Sequence, residues 1–277
     1  MEHLPNKEKI SSLLSSSTHP SPEIFAYSET DSTNLRARVW ASEHPENRET
    51  KIFIASSQSA GRGRKGRSFS SERGGIYLSL LLYPDAKGFD ATAITAYSAV
   101  KLCEAIEALS TARPFIKWVN DLYLDGRKIA GILAEGVMGS DGKIAYLVLG
   151  MGINVYKREF PDDISHIAGS IEALTGERLC LDTLAAKIIE CVLQNIASPD
   201  SEECFLEYRR RCGVVGKEVT VIKASEQYPA TVIDLERDYS LLIRRQDGEC
   251  ERLFTGEVST KMTPPECTKK QENKDFS

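Results

Sequence analysis

The chain has no long apolar run. Within its 277 residues no window approaches the roughly 18 consecutive apolar positions that a membrane-crossing helix needs, and the opening MEHLPNKEKISSLL is too polar for a signal peptide. Both absences predict a cytoplasmic protein with no membrane partner. Paired cysteines are missing as well: Cys103, Cys180, Cys191, Cys204, Cys212, Cys250 and Cys267 are odd in number and never stand as C-x-x-C, which predicts reduced thiols rather than a disulfide framework or a zinc cluster. Histidine is scarce and scattered (His3, His19, His44, His166), leaving little material for Ser-His-Asp chemistry. An excess of positive charge is also lacking. The 35 Lys+Arg against 40 Asp+Glu leave a net charge of −5, so no global basic field points to nucleic acid. What remains, 41% hydrophobic and 27% charged, is an ordinary globular composition, long enough for one large domain or a large and a small one.

The chain divides by texture. Residues 1–22, ending SSLLSSSTHPSP, read as a flexible lead-in. From Glu23 the pattern is orderly: EIFAYSET reads as a strand, Asp31-Ser32-Thr33-Asn34 offers N-caps for a helix ending near His44-Pro45, and KIFIASS reads as a second strand. After a glycine- and arginine-rich loop at 58–75, GIYLSLLLYP is a β-prone run and 90–110 has helical spacing. Short β runs around the Asp125-Gly126 and Asp141-Gly142 turns predict antiparallel pairs, and two helices follow in LDTLAAKIIECVLQNIA and SEECFLEYRRRC. Residues 23–212 therefore read as one α+β domain with a mixed or antiparallel sheet flanked by helices. Residues 213–262, with four alternating runs and the Asp247-Gly248 turn, read as a small β-barrel or sandwich, and 263–277 as a disordered tail.

The densest chemical signal is SQSAGRGRKGRSF, residues 57–69. Arg62, Arg64, Lys65 and Arg67 are interleaved with Gly61, Gly63 and Gly66, so backbone N–H groups and guanidinium forks can converge on an anion. Taken alone, the segment fits both a phosphate cradle and an exposed basic loop touching nucleic acid. Gly61-x-x-x-x-Gly66-Arg67-Ser68 comes within one residue of a P-loop, but a strand rather than a helix follows it, and that reading fails. The second signal is Lys117-Trp118-Val119-Asn120-Asp121 followed by Arg127-Lys128-Ile129-Ala130-Gly131-Ile132-Leu133, short β segments that can aim lysines and an Asn-Asp pair into one cleft; taken alone, a plain turn beside a solvated lysine is the favoured reading, because turn Asn/Asp and surface lysines are commonplace. The third is Gly150-Met151-Gly152-Ile153-Asn154, where strand glycines mark a bulge or a close ligand.

In that order, DSTN, Gln58 with GRGRKGR, KWVNDLY, RKIAGIL, GMGINV and a late GEV resemble the biotin–protein ligases over roughly residues 24–260. The resemblance implies a class II synthetase-like biotin/lipoate ligase fold with a small C-terminal SH3-like barrel. It implies ATP-dependent joining of biotin to a lysine of a biotin carrier protein or carboxyl carrier domain, through biotinyl-5′-AMP and with Mg2+. By resemblance Ser32, Thr33 and Gln58 would bond the biotin rings, helped by Gly61 and Arg62, with Gly131 walling the chain and Lys128 at the carboxylate. Arg64, Arg67 and Lys128 would be the catalytic cations. Arg64, Arg67, Phe69, Asn120 and Asn154 would hold ATP, and Asp121 would meet magnesium.

Two positions depart from the family pattern: Val119 stands where a proline is usual, and Phe69 where a tryptophan is common. The short stretch before Glu23 predicts a monofunctional enzyme without a helix-turn-helix and without a DNA partner, as a monomer or homodimer. A lipoate–protein ligase with the same acyl-adenylate chemistry is the nearest rival, and a non-catalytic nucleic-acid-binding module using the Arg/Gly loop is the alternative from another class.

Overall fold

The computed structural model describes residues 4–14, 22–83, 90–223, 226–254 and 257–259. Its larger part is a seven-stranded mixed sheet in the order β1-β2-β3-β7-β6-β5-β4. The strands are β1 (Glu23–Tyr27), β2 (Lys51–Ala55), β3 (Gly75–Leu82), β4 (Phe115–Lys117), β5 (Asp121–Leu124), β6 (Arg127–Met138) and β7 (Ile144–Asn154). Only β1 and β2 run parallel, joined through helix α2 (Thr33–Glu43); the other neighbours are antiparallel. Asp125 and Gly126, at φ 47° and 76°, turn β5 into β6 with the two positive φ values that a tight hairpin turn requires.

β2 and β3 are buried at every position, which is why KIFIA and GIYLSLLL read as continuous runs rather than alternating ones. Their alternate residues serve two different faces. Ile52, Ile54, Leu78, Leu80 and Leu82 join the main core, under helices α3 (Ala91–Glu107), α5 (Leu181–Leu193) and α6 (Glu202–Arg211). Phe53, Leu81 and Val148 face the other way and form a small second cluster with Ala37 and Ala41 of α2. Helix α2 covers β2, β3 and part of β7, and the cleft lies beside its N-terminal end, over β6 and β7.

Residues 7–13, inside the segment expected to be a flexible lead-in, form helix α1 (Lys7–Leu13). The Asn6 side chain caps it by accepting from the Lys9 N–H, Ile10 is fully buried in the main core, and the Asn6 N–H donates to Asp182 of α5 at 3.2 Å. One core isoleucine and a cap suffice to dock the turn, and the serine-rich stretch behind it hides that signal in the sequence. A one-turn helix, α4 (Ile171–Thr175), carries no pattern long enough to be read, and α5 stops at Leu193, short of the periodic run that suggested it.

The second sheet contains β8 (Glu218–Ile222), β9 (Gln227–Leu235), β10 (Leu241–Arg245), β11 (Cys250–Leu253) and β12 (Glu257–Ser259). All are antiparallel, in the order β11-β10-β9-β8-β12, consistent with an SH3-like domain. It is anchored to the first unit by the Trp118 indole N–H, which donates to the Tyr239 carbonyl at 2.7 Å, and by Arg209 of α6, which forks onto Asp234 at 2.7 and 2.8 Å. Tyr208 packs edge-on against Tyr239 and donates its hydroxyl to the Val119 carbonyl at 3.1 Å. The tail expected to be disordered, 263–277, lies outside the described residues.

Candidate active site

Strand alternation sets the floor of the cleft. Gly131 and Leu133 of β6 share a face and stand opposite Gly152 and Gly150 of β7, so three of the four floor positions have no side chain. The Phe69 ring lies on this floor. A Cβ at Gly152 would sit 2.5 Å from Phe69 Cε1, so the ring demands glycine there, and one at Gly131 would sit 3.1 Å from Cε2, a tight fit that a shift of a few tenths of an ångström would relieve. Tyr77 meets the ring edge-on at 6.4 Å, and burial pushes the Tyr77 phenol up to about 12.

One end of the cleft is built by the start of α2. Ser32 is the N-cap in extended backbone, but its side chain makes no cap bond. Asp31 satisfies the local donors instead, taking the Ser32 N–H at 2.6 Å and the Arg36 guanidinium at 2.9 Å. Burial opposes the charge on Asp31, yet those bonds and the Thr30 hydroxyl outweigh it and hold the carboxyl below its ordinary value. Thr33 is buried beside Gln58, whose carbonyl oxygen accepts the Thr33 N–H at 2.8 Å and lies 3.1 Å from its hydroxyl oxygen.

The Arg/Gly loop folds back over the floor. Phe69 N–H donates to the Gly61 carbonyl and Gly63 N–H to the Arg67 carbonyl, with a short 3-10 turn, Arg64–Gly66, at the tip. Lys65 and Gly66 take φ of 56° and 75° there. At the base a Cβ on Gly61 would overlap Ser71 Oγ and lie 2.5 Å from the Phe69 carbonyl, so the pinch requires glycine. Arg64 reaches across to Asn120 Oδ1 at 3.1 Å, and Asn120 is fixed in turn by its Nδ2 donating to the Ile132 carbonyl at 2.8 Å. Lys128, beside a register shift between β5 and β6, pairs with Asp121 at 2.7 Å and stands 5.9 Å from the Phe69 ring centroid.

Most of the residues singled out in the sequence thus come together. Ser32, Thr33, Gln58, Arg62, Arg64, Arg67, Phe69, Asn120, Asp121, Lys128 and Gly131 all line this one cleft. Two do not. Gly61 closes the base of the loop, and Asn154, buried at the end of β7, has its side-chain oxygen held by Arg158 at 2.9 Å. The cleft also takes in Asn34, Lys65, Lys117 and Gly152, which the sequence reading had not assigned. Lys117 was visible only as one of two lysines beside the Asn-Asp pair, and Asn34 only as a cap candidate. Among the described residues no group of three or more His, Cys, Asp or Glu is placed to hold a metal ion, and Asp121 is the one carboxylate lining the cleft.

The cleft over β6 and β7 of the seven-stranded mixed sheet is rich in cations, with a polar pocket at one end and a lysine–aspartate pair within it, features suited to a small anionic ligand. Residues 27–154, from the end of β1 to the end of β7, match the Biotin/lipoate A/B protein ligase family. The structure is similar to that of the biotin protein ligase from Aquifex aeolicus in complex with biotin and ATP, with a TM-score of 0.73 and 26% identity over 87% of this chain and 99% of that one. In sequence it is 34% identical over 146 residues to the bifunctional ligase/repressor BirA of Bacillus spizizenii, covering 52% of this chain and 45% of that protein. It is 35% identical over 128 residues to the biotin--[acetyl-CoA-carboxylase] ligase of Paracoccus denitrificans, covering 46% of this chain and 52% of that protein. These matches span about half the length of both relatives.

Proposed function

We propose that this chain is a biotin–protein ligase, which activates biotin with ATP as biotinyl-5′-AMP and passes the biotinyl group to a lysine of a carrier protein or carboxyl carrier domain. The observation that carries the reading is the convergence, in one cleft, of the Thr33–Gln58 polar pair, the Arg62–Arg67 loop and Lys128. In the first step a carboxylate oxygen attacks the α-phosphorus of ATP and pyrophosphate leaves. Two anions must meet, and at ~4 Å in an effective dielectric of about 20 each like-charge pair costs about 4 kcal/mol. Lys128, Arg64 and Arg67 offset that repulsion and stabilise the charge that develops on the phosphoryl oxygens.

Asp121 aims the Lys128 ammonium, and Asn120 holds Arg64 over the floor. Ser32, Thr33 and Gln58 take the ring end of biotin, assisted by the backbone of Gly61 and Arg62, and Gly131, under the Phe69 ring and beside Lys128, borders its chain. Phe69 lies where it can flank an adenine, and Asn154 lies beyond it at the end of β7. Asp121, the carboxylate lining the cleft and already paired with Lys128, would be the protein ligand of a magnesium ion, which would supply charge neutralisation at the phosphates. In the second step the acceptor amine attacks the acyl carbon, AMP leaves and the amine loses a proton. We assign the work to the cytoplasm.

A lipoate substrate would use the same cations but present a dithiolane ring, with no N–H, to Thr33 and Gln58. Competition between radiolabelled biotin and lipoate for adenylate formation tests this reading. Biotinyl-AMP is expected, and lipoyl-AMP as the sole product would overturn the choice of substrate.

A further inference from the structure

Behind the Thr33–Gln58 pair runs a chain of buried polar groups whose protons can be counted. Glu135 lies on β6 two residues beyond Leu133, on the cleft face, with Arg38 and Arg62 each 3.9 Å from one of its oxygens. A carboxylate accepts and does not donate, so Asn34 must turn its Nδ2 to Glu135, at 2.8 Å, and its carbonyl oxygen the other way. That oxygen lies 2.6 Å from Ser79 Oγ and has no proton of its own, so the single Ser79 proton goes to it. Ser79 Oγ also lies 2.7 Å from Thr33 Oγ1, and with its proton spent it accepts there, so the Thr33 hydroxyl donates to Ser79. Ser79 is fully buried, Thr33 and Asn34 nearly so, and Gly150 is required because any Cβ there would overlap the Asn34 carboxamide oxygen.

A second chain fixes Gln58 independently. Ser71 gives its proton to the Phe69 carbonyl at 2.9 Å, so it accepts from Gln58 Nε2 at 2.9 Å. The Gln58 carbonyl oxygen therefore faces Thr33, where it also takes the Thr33 N–H at 2.8 Å. The two chains leave Thr33 Oγ1 and Gln58 Oε1 3.1 Å apart with no proton between them. Thr33 is buried and Gln58 half-buried, and two neighbouring acceptors repel one another until a donor enters between them.

We propose that Glu135, Asn34 and Ser79 are positioning residues that keep Thr33 an acceptor toward the ligand, so that the pocket selects a ring presenting an N–H at this point. The inference rests on the biotin reading above and deepens it: the cyclic urea of biotin supplies such an N–H, and a dithiolane does not. Selectivity against the dithiolane then comes from proton direction in a layer that does not itself touch the ring. Without Ser79 the Thr33 hydroxyl swings its proton onto Gln58 Oε1, the pair satisfies itself, and the demand for a donor disappears.

The test uses the full chain and its biotin-dependent pyrophosphate release, with biotin, lipoate and biotin methylated at each ureido nitrogen in turn as probes. Ser79→Ala is expected to raise KM for biotin roughly tenfold, the cost of one mispaired buried hydrogen bond, with the loss in KM for biotin rather than in kcat or KM for ATP. Preference for biotin over the methylated analogue that blocks this N–H should shrink by a similar factor, and Ser79→Thr, which restores a hydroxyl, should recover it. Ser79→Cys, close in size and a weak hydrogen-bonding group, gives the same readout should the alanine variant fold poorly. Wild-type turnover of biotin with unchanged KM and unchanged analogue discrimination in the alanine or cysteine variant would overturn this inference alone. A wild-type protein silent with biotin would overturn the substrate reading, and this inference with it.

Discussion

At the residue scale the floor of the cleft makes the sharpest demands. Gly131 and Gly152 are paired across β6 and β7 under the Phe69 ring, and nothing larger than hydrogen fits at 152 without moving that ring. Gly152→Val is therefore expected to lower the rate of adenylate formation about 100-fold, the scale of an ångström-sized misplacement in a positioned site, while the circular dichroism spectrum stays that of a folded protein. A variant with wild-type adenylation would contradict the placement of Phe69. These residues were legible because glycines within a strand pattern signal close approach. What they approach was not legible, since sequence spacing cannot show that Phe69, more than 60 positions away, returns onto them. Lys128 was legible for its neighbours and Lys117 was not, because a three-residue strand leaves too little alternation to tell the inward position from the outward one.

At the element scale the Arg/Gly loop is a folded tongue, pinched at Gly61 and tied across the cleft by Arg64 to Asn120. Removing that tie leaves the base intact and frees the tip. Arg64→Gly should release adenylate roughly 10- to 100-fold faster, the worth of one charged hydrogen bond, and label lysines of bystander proteins. Filter-retention of labelled adenylate and blotting for biotin on an added non-carrier protein check both, and unchanged retention would contradict the role of the tie. The loop's charge and glycine content were plain in the sequence. Its direction was not, because Lys65 and Gly66 reverse the chain through positive φ and only one of those two residues advertises that conformation. Helix α1 escaped for a similar reason: seven residues held by Ile10 and the Asn6 cap carry less pattern than the serine-rich stretch that follows.

At the scale of the whole molecule, the two sheets are joined where the cleft's back wall stands. Trp118 and Val119, directly before Asn120, are bonded to Tyr239 and Tyr208, so the second sheet braces the segment that presents Asn120 and Asp121. Helix α6 carries that brace, and it is charge-linked. Glu207 is held down to about 2, first by its bond from Arg210, against the opposing effect of burial, and further by Arg211. A carboxyl depressed in the folded state contributes stability that is present above its unfolded value and lost as pH falls through the folded one. Glu207→Gln is thus expected to lower the denaturation midpoint at neutral pH, with the gap to wild type closing between about pH 4.5 and pH 2. A gap that stays constant on acidification would contradict the linkage. The α+β body and the small β unit were both readable from the change in strand rhythm, whereas the bonds between them, Trp118 to Tyr239 and Arg209 to Asp234, join residues 121 and 25 positions apart and leave no local trace. The central claim is that one cleft activates biotin with ATP, and pyrophosphate release by the purified chain, with biotin, lipoate or neither, measures it most directly. The account predicts release that requires both ATP and biotin and falls about 100- to 1000-fold in Lys128→Ala. Release that ignores biotin, or that survives unchanged in Lys128→Ala, would contradict it.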